Sequence, residues 1–356
     1  MIKRICLFTA YFAFNRQDMV EYLGKIFPKE VEIFLFTIKD EKNKFHSKRV
    51  KIVDTKCNKY TSFFELRKFC QKNRIERIVN LGALPWEGLA MAFASFFSRT
   101  KFICHMLGNP INYLHFKLSK WGIKSFLGAL IAYPFALLPE KIIFCSRDIT
   151  DICKKYLFFA RKKIYQLPYF VDTNIFFQKN KKEVRKMLNL PLNKKIVLFV
   201  GRIEYMKGSD ILSELIKRNS DILFILIGKL MDKNIAKDKS NNLKLFSSVD
   251  SKDLVNLYNA ADIFVFPSRA EAYGRVHREA MACNVPAIVS DILALRQTKG
   301  AIVTKLDIED FDKQIKKFFS LPEKEKQKLS KGLRELIIKE CGFEACKDLY
   351  INYLLK

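Results

Sequence analysis

Apolar residues fall along the 356-residue chain in short dense runs, and the text between them spaces its apolar positions every three or four residues. The runs lie at residues 5–9, 32–36, 77–80, 101–104, 141–144 and 163–166. A second series lies at 195–200, 222–227, 243–246, 263–266, 287–289 and 301–303. Each is short and rich in β-branched or aromatic side chains, which predicts strands buried on both faces. The intervening text predicts helices, as where Leu212, Leu215 and Ile216 share one face after Gly208. Strands alternating with helices imply parallel sheets, and two such series imply two doubly wound α/β domains. The expected domains are 1–175 and 176–340, joined by a polar, exposed connection near 176–192. Residues 341–356 are expected to form a last amphipathic helix packing back towards the first domain.

The longest stretch without acid or base is 125–139, interrupted by Pro134 and short of the roughly 20 apolar residues a spanning helix needs. Lys3 and Arg4 before an apolar run resemble a short signal peptide, but no small-x-small cleavage site follows, and the run is read as the first strand. Nine scattered cysteines contain no C-x-x-C pair, which argues against a disulfide framework or a zinc knuckle and for a reduced, cytoplasmic protein.

Charge adds a question about partners. The net formal charge is +27, with 30 basic and 14 acidic side chains in residues 1–175 and 34 and 23 in the rest. Such a balance favours nucleic acid, a phospholipid surface or phosphorylated ligands, while coding bias towards Lys, Ile, Phe and Asn would produce the same total. Between Glu87 and Glu140 there is no acid, and Arg99, Lys101, Lys117, Lys120 and Lys124 interrupt an apolar text holding Trp121, Phe126, Tyr133 and Phe135. With Lys154, Lys155, Arg161, Lys162 and Lys163, that stretch would suit peripheral docking on an anionic bilayer. A buried helix over 127–138 is the alternative.

Candidate chemistry stands just after strands, where open α/β sheets bind ligands. Residues 200–208 read Val-Gly-Arg-Ile-Glu-Tyr-Met-Lys-Gly. Gly201 permits a tight turn, Arg202 and Lys207 set two cations at the sheet mouth, and Gly208 with Ser209 opens a helix whose amides favour an anion. The second constellation follows the strand at 263–266. There Glu271 lies in a loop and Glu279 about one turn inside a helix, with the amides of Tyr273, Gly274 and Arg275 between them. Glu271 could simply stabilise the helix start. Glu279, flanked by Ala280, Met281 and Ala282, needs a donor partner, and vicinal sugar hydroxyls would serve.

On these residues the sequence resembles the retaining, GT-B-fold glycosyltransferases of family 4, the glycosyl transferases group 1. The glutamate pair Glu271 and Glu279 in E-A-Y-G-R-V-H-R-E-A-M-A matches the family signature, and Arg202 and Lys207 match its phosphate-binding cations. The strand end F-V-F-P-S-R-A-E, the phrase L-V-N-L-Y-N-A-A-D-I-F-V and the crossing P-Y-F-V-D-T with Phe176 add further matches over 167–303. The resemblance implies two Rossmann-like domains facing across a cleft, with a nucleotide-diphosphate sugar held mostly on the second. Arg202 and Lys207 would bind the diphosphate, Glu279 the ribose hydroxyls and Glu271 the transferred sugar, with Gly201 and the amides of Tyr273, Gly274 and Arg275 in support. It implies transfer with retention to a glycan or lipid-linked acceptor in surface polysaccharide or lipopolysaccharide assembly, without a metal or a further cofactor. His105, after the strand at 101–104, stands where the family often places a functional histidine, and Ser146 matches a recurrent serine.

Three departures accompany the match. The glycine-rich loop after the first strand is absent, Phe170 replaces a linker glycine, and Asn284 replaces a glycine before Val285-Pro286. Asp310-Phe311-Asp312 begins a predicted helix over 311–321 and reads as capping. The rival readings are an epimerase of the same fold and a basic nucleic-acid-binding protein; no recognised nucleic-acid-binding motif occurs, and no nucleic-acid partner is expected.

Overall fold

The fold is described from a computed structural model, for all residues except 1, 12–13, 40–46, 54, 56, 59, 83–84, 97, 108–135, 238–239 and 248. Two compact units emerge, one of 1–168 with 347–356 and the other of 169–346.

The first unit is built on a parallel sheet of seven described strands: β1 (Arg4–Tyr11), β2 (Glu32–Lys39), β3 (Val50–Val53), β4 (Arg77–Asn80), β5 (Lys101–Met106), β6 (Lys141–Phe144) and β7 (Ile164–Gln166). They run in the order β3-β2-β1-β4-β5-β6-β7. Cys6, Phe8, Phe36 and Ile78 from the sheet close a core with Leu66, Cys70, Met91 and Ala94 from the helices Ser62–Lys72 and Pro85–Ser95. Strand β3 escapes the apolar pattern because it is a short edge strand in which Lys51 is exposed and only Val50 is fully buried.

The second unit holds β8 (Lys195–Val200), β9 (Ile222–Ile227), β10 (Leu243–Phe246), β11 (Ile263–Phe266), β12 (Ala287–Ser290) and β13 (Ile302–Thr304), parallel and ordered β10-β9-β8-β11-β12-β13. Every residue of β9, β11 and β12 is buried, as continuous apolar runs in a covered parallel sheet require.

Boundaries differ from the sequence expectation. The units divide at Pro168 rather than 175, because Tyr169, Phe170, Val171 and Phe176 are buried within the second unit. Nor is 176–192 simply a polar connection. It contains the helix Lys181–Met187, whose buried Arg185 donates to the carbonyls of Ala260, Leu192 and Lys194 and to Asp262 at 2.8–3.0 Å. A lysine-rich text hides this helix because the buried contacts of its cation are polar.

The last helix, Phe343–Leu355, contributes its residues from Lys347 onward to the first unit. There Arg77, buried in β4, donates to the Leu354 carbonyl at 2.9 Å and pairs with Glu140 at 2.8 Å, while Tyr350 packs edge-on against Tyr22. Among the described residues no helix is long and apolar enough to cross a membrane.

Candidate active site

The order of the second sheet reverses between β8 and β11, and the loops leaving these neighbouring strands carry the candidate residues. After β8, Gly201 turns the chain at φ +153°, one 3₁₀ turn spans Tyr205–Lys207, and Gly208 at φ +79° opens the helix Ser209–Arg218. After β11, the loop 267–274 ends at Gly274, φ +71°, which opens the helix Arg275–Ala282. Both helix-opening glycines are dictated by φ and by space. A Cβ on Gly208 would lie 2.2 Å from the Pro267 carbonyl oxygen, and one on Gly274 2.5 Å from Leu295.

Polar contacts stitch the two loops together. Arg269 forks onto both oxygens of Asp210 at 2.7 Å and stacks on the Tyr205 ring at 3.9 Å. The Arg269 amide donates to the Met206 carbonyl at 3.0 Å, and the Ser268 hydroxyl reaches the same oxygen at 3.3 Å. This seam brings the ammonium of Lys207 against the carboxylate of Glu271 in a mostly buried ion pair. Lys207 also donates to the Ala270 carbonyl at 3.2 Å, and Ser268 donates to the same Glu271 oxygen at 3.1 Å. Arg202 lies on the same loop but takes a different partner, Glu204 at 2.8 Å, and its side chain stays 60% exposed. A cation and a carboxylate side by side offer complementary handles, one for a phosphate oxygen and one for a hydroxyl.

Glu279 forms a second focus. It is 2% exposed, pairs through Oε1 with Arg275 Nε at 2.7 Å, and accepts through Oε2 from the Tyr258 hydroxyl at 3.0 Å. Arg275 in turn lies 5.2 Å from the Tyr169 ring. Burial, reinforced by Glu279, pushes the Tyr258 phenol well above its ordinary range, so Tyr258 remains a donor.

Between the two foci the turn at Tyr273, Gly274 and Arg275 is clamped from beneath. Arg278 donates to the Tyr273 and Gly274 carbonyls and to the Thr298 hydroxyl, and stacks on the Tyr273 ring at 3.8 Å. His277 is fully buried with Nε2 3.1 Å from that hydroxyl. Burial, with Arg278 beside it, pulls the His277 pKa well below the usual histidine range. The first amides of a helix have no intrahelical carbonyl to bond, so a turn held this way presents donors to an anion.

His105 belongs to the first unit. It is fully buried at the end of β5, its ring edge-on to Tyr350 at 5.7 Å, and burial lowers its pKa to about 3. Neither ring nitrogen has a hydrogen-bond partner among the described residues. Ser146 is the N-cap of the helix Arg147–Tyr156. Gly108, Asn109, His115, Phe12 and the aromatic text of Trp121, Phe126, Tyr133 and Phe135 lie outside the described residues. The Asp310–Asp312 pair does not itself cap a helix. The helix Ile308–Ser320 starts earlier, with Asp307 accepting from the Asp310 amide at 2.8 Å, while Asp312 binds Asn219 and Lys316.

Sequence reasoning missed Ser268, Arg269, Asp210 and Tyr258. Ser268 and Arg269 stand in the quoted strand end, so proximity to Glu271 was available as a signal. The pairing with Asp210, 59 positions away, was not.

Two parallel sheets of seven and six described strands, with charged loops beyond the strand ends at a switch point, have the GT-B architecture. Residues 180–335 match the family model described as Glycosyl transferases group 1. A D-inositol 3-phosphate glycosyltransferase of Segniliparus rotundus is 26% identical over 182 residues, 46% of this chain and 40% of that protein. The matched part thus spans well under half of that relative's length. Among solved structures, Anabaena HepE in complex with UDP aligns with a TM-score of 0.80 at 15% identity over 99% of this chain and 100% of that one. Sucrose-phosphate synthase from Thermosynechococcus elongatus aligns at 0.79 and 19% identity over 98% and 97%. These two likenesses are of fold.

Proposed function

We propose that the protein transfers a sugar, with retention, from a nucleotide-diphosphate donor to a glycan or lipid-linked acceptor in surface polysaccharide or lipopolysaccharide assembly. The observation that carries this reading is the mostly buried Lys207–Glu271 pair beside the clamped Tyr273–Arg275 turn, one helical turn from Glu279. Lys207 and Arg202 meet the diphosphate, where negative charge builds as the bond from the sugar's anomeric carbon to the phosphate oxygen breaks. Fixed cations there act more strongly in the transition state than in the ground state. Glu271 takes sugar hydroxyls and Glu279 those of the ribose. The acceptor oxygen attacks from the face the phosphate leaves, and its proton passes to the departing phosphate oxygen. No metal is required by this scheme, and HepE, crystallised with UDP-glucose, supplies an example of the donor class on the same fold.

Peripheral contact with an anionic membrane forms part of the proposal. In the first unit Leu137, Leu138, Tyr156 and Phe158 are each at least half exposed, amid Lys154, Lys155, Arg161, Lys162 and Lys163. Exposed apolar side chains among cations suit the interface of a negatively charged bilayer.

Thermal stability with UDP, GDP, ADP, CMP or short oligonucleotides, each with magnesium or EDTA, tests the donor reading. A ligand at 100 times its dissociation constant adds about 2.7 kcal/mol. The expected result is stabilisation by one nucleoside diphosphate, unaffected by EDTA and lost in Glu279→Ala. Stabilisation by oligonucleotides alone, reversed by salt, would overturn it.

A further inference from the structure

We infer that Tyr258 is a positioning residue that gives the donor site its preference for ribonucleotides over 2′-deoxyribonucleotides; this rests on the reading of Glu279 as the ribose-binding carboxylate. The geometry comes from two directions. Tyr258 is fully buried in the helix Ser251–Ala260 and donates its hydroxyl to Glu279 Oε2 at 3.0 Å, while Arg275 Nε holds Oε1 at 2.7 Å. A donor on each oxygen fixes the rotation of the carboxylate plane, which a glutamate without those partners would not keep.

Tyr258 itself cannot swing away. Its ring is wedged between Phe176 at 5.8 Å and Phe264 at 5.9 Å, so the hydroxyl is delivered from a core rather than from a loop. The supporting rings come from β11, whose end leads into the Glu271 loop, and from the segment before the helix Lys181–Met187. The carboxylate is therefore oriented before any ligand arrives, and a vicinal pair of hydroxyls meets an acceptor plane already set. A nucleotide lacking one of those hydroxyls leaves part of that plane unused in a buried site, the situation in which hydrogen-bonding sites discriminate most strongly.

Dissociation constants for UDP and dUDP, and for ADP and dADP, measured on wild type, Tyr258→Phe and Glu279→Ala, test the assignment. Wild type should prefer the ribonucleotide of the bound base about tenfold or more, as expected for a hydrogen bond to a charged group. Tyr258→Phe, which keeps the ring and its packing, should hold the deoxynucleotide affinity within about twofold while the preference falls to about threefold or less. Glu279→Ala should abolish the preference. If Tyr258→Phe keeps the wild-type preference while Glu279→Ala loses it, the role of Tyr258 is refuted and the ribose reading survives. If Tyr258→Phe weakens ribo- and deoxyribonucleotide equally, its role is packing and the inference again fails. Absence of any preference in wild type, or its persistence in Glu279→Ala, would refute the reading of Glu279 itself.

Discussion

Lys207 and Glu271 neutralise each other in a mostly buried pair, and Ser268 adds a third contact. Removing one partner leaves the other charge poorly compensated, a change that costs both stability and function. Lys207→Ala should therefore lower turnover by about 10²-fold or more, since a lost contact to developing charge costs about 2.7–4 kcal/mol of barrier. Steady-state kinetics with the stabilising donor checks this, and wild-type turnover in the variant would remove Lys207 from the site. His105 carries a different prediction. Its folded pKa of about 3 lies below the unfolded value of about 6.5, so it is neutral in the fold and protonated first in the unfolded chain. Its share of stability is complete above about pH 6.5 and is lost as pH falls towards 3, by up to about 1.4 kcal/mol per pH unit. Urea titrations of His105→Phe from pH 7 to 4 should show a shallower decline than wild type. An identical slope would mean that the imidazole is protonated in the fold. The pairs Lys207–Glu271 and Arg275–Glu279 show how far residues could be read. Charged types beside strand ends were visible, but Tyr258, which orients Glu279, and Asp210, which holds Arg269, stand 21 and 59 positions from the residues they bind and carry no local mark.

At the scale of elements, the turns decide where those side chains point. Gly208 makes the close approach of its loop to Pro267 possible, and an alanine there would need both a left-handed φ and a displaced carbonyl. Gly208→Ala should destabilise the protein by about 1–3 kcal/mol and weaken nucleotide binding together. Gly88→Ala is the contrasting case, because its added Cβ in the helix Pro85–Ser95 meets nothing within 4 Å among the described residues. Helix propensity predicts a gain of up to about 1 kcal/mol there. Chemical denaturation of both variants distinguishes the signs, and a loss at Gly88 would contradict the packing described. Asn284 shows an element-scale departure resolved by geometry. It sits at φ +59° after the helix Arg275–Ala282, and the following Val285 amide closes back onto the Ala280 carbonyl at 3.0 Å. Asparagine tolerates the left-handed position that glycine usually fills at a helix end, so the replacement leaves the motif intact. Strand locations were legible because covered parallel strands are continuous apolar runs. The edge strand β3 and the helix Lys181–Met187 were not, because a half-exposed strand and a mostly exposed helix that buries a cation break that rule.

Across the whole molecule the informative quantity is where charge meets exposed apolar surface, since a net +27 alone does not separate docking from coding bias. The first unit sets Phe158, 71% exposed, next to the basic run Arg161-Lys162-Lys163, and Lys163 donates to the Pro139 carbonyl at 3.1 Å beside exposed Leu138. Rings and cations in one patch would engage a bilayer by two mechanisms, insertion and attraction to anionic headgroups, each contributing separately. Attraction is worth about 1 kcal/mol per cation near the surface and is screened within about 8–10 Å at physiological salt. Reversing the charge of Arg161, Lys162 and Lys163 together should therefore weaken binding to phosphatidylserine vesicles by about 10²-fold or more. Phe158→Ser should weaken it at every salt concentration, because a ring inserted in the bilayer would not be screened. Cosedimentation across 50–500 mM salt measures both. Salt-dependent loss in wild type, with a flat residual dependence in the triple variant, is the expected pattern. Equal binding to neutral and anionic vesicles, or wild-type binding by the triple variant, would mean that these cations face solvent and take no part in membrane docking.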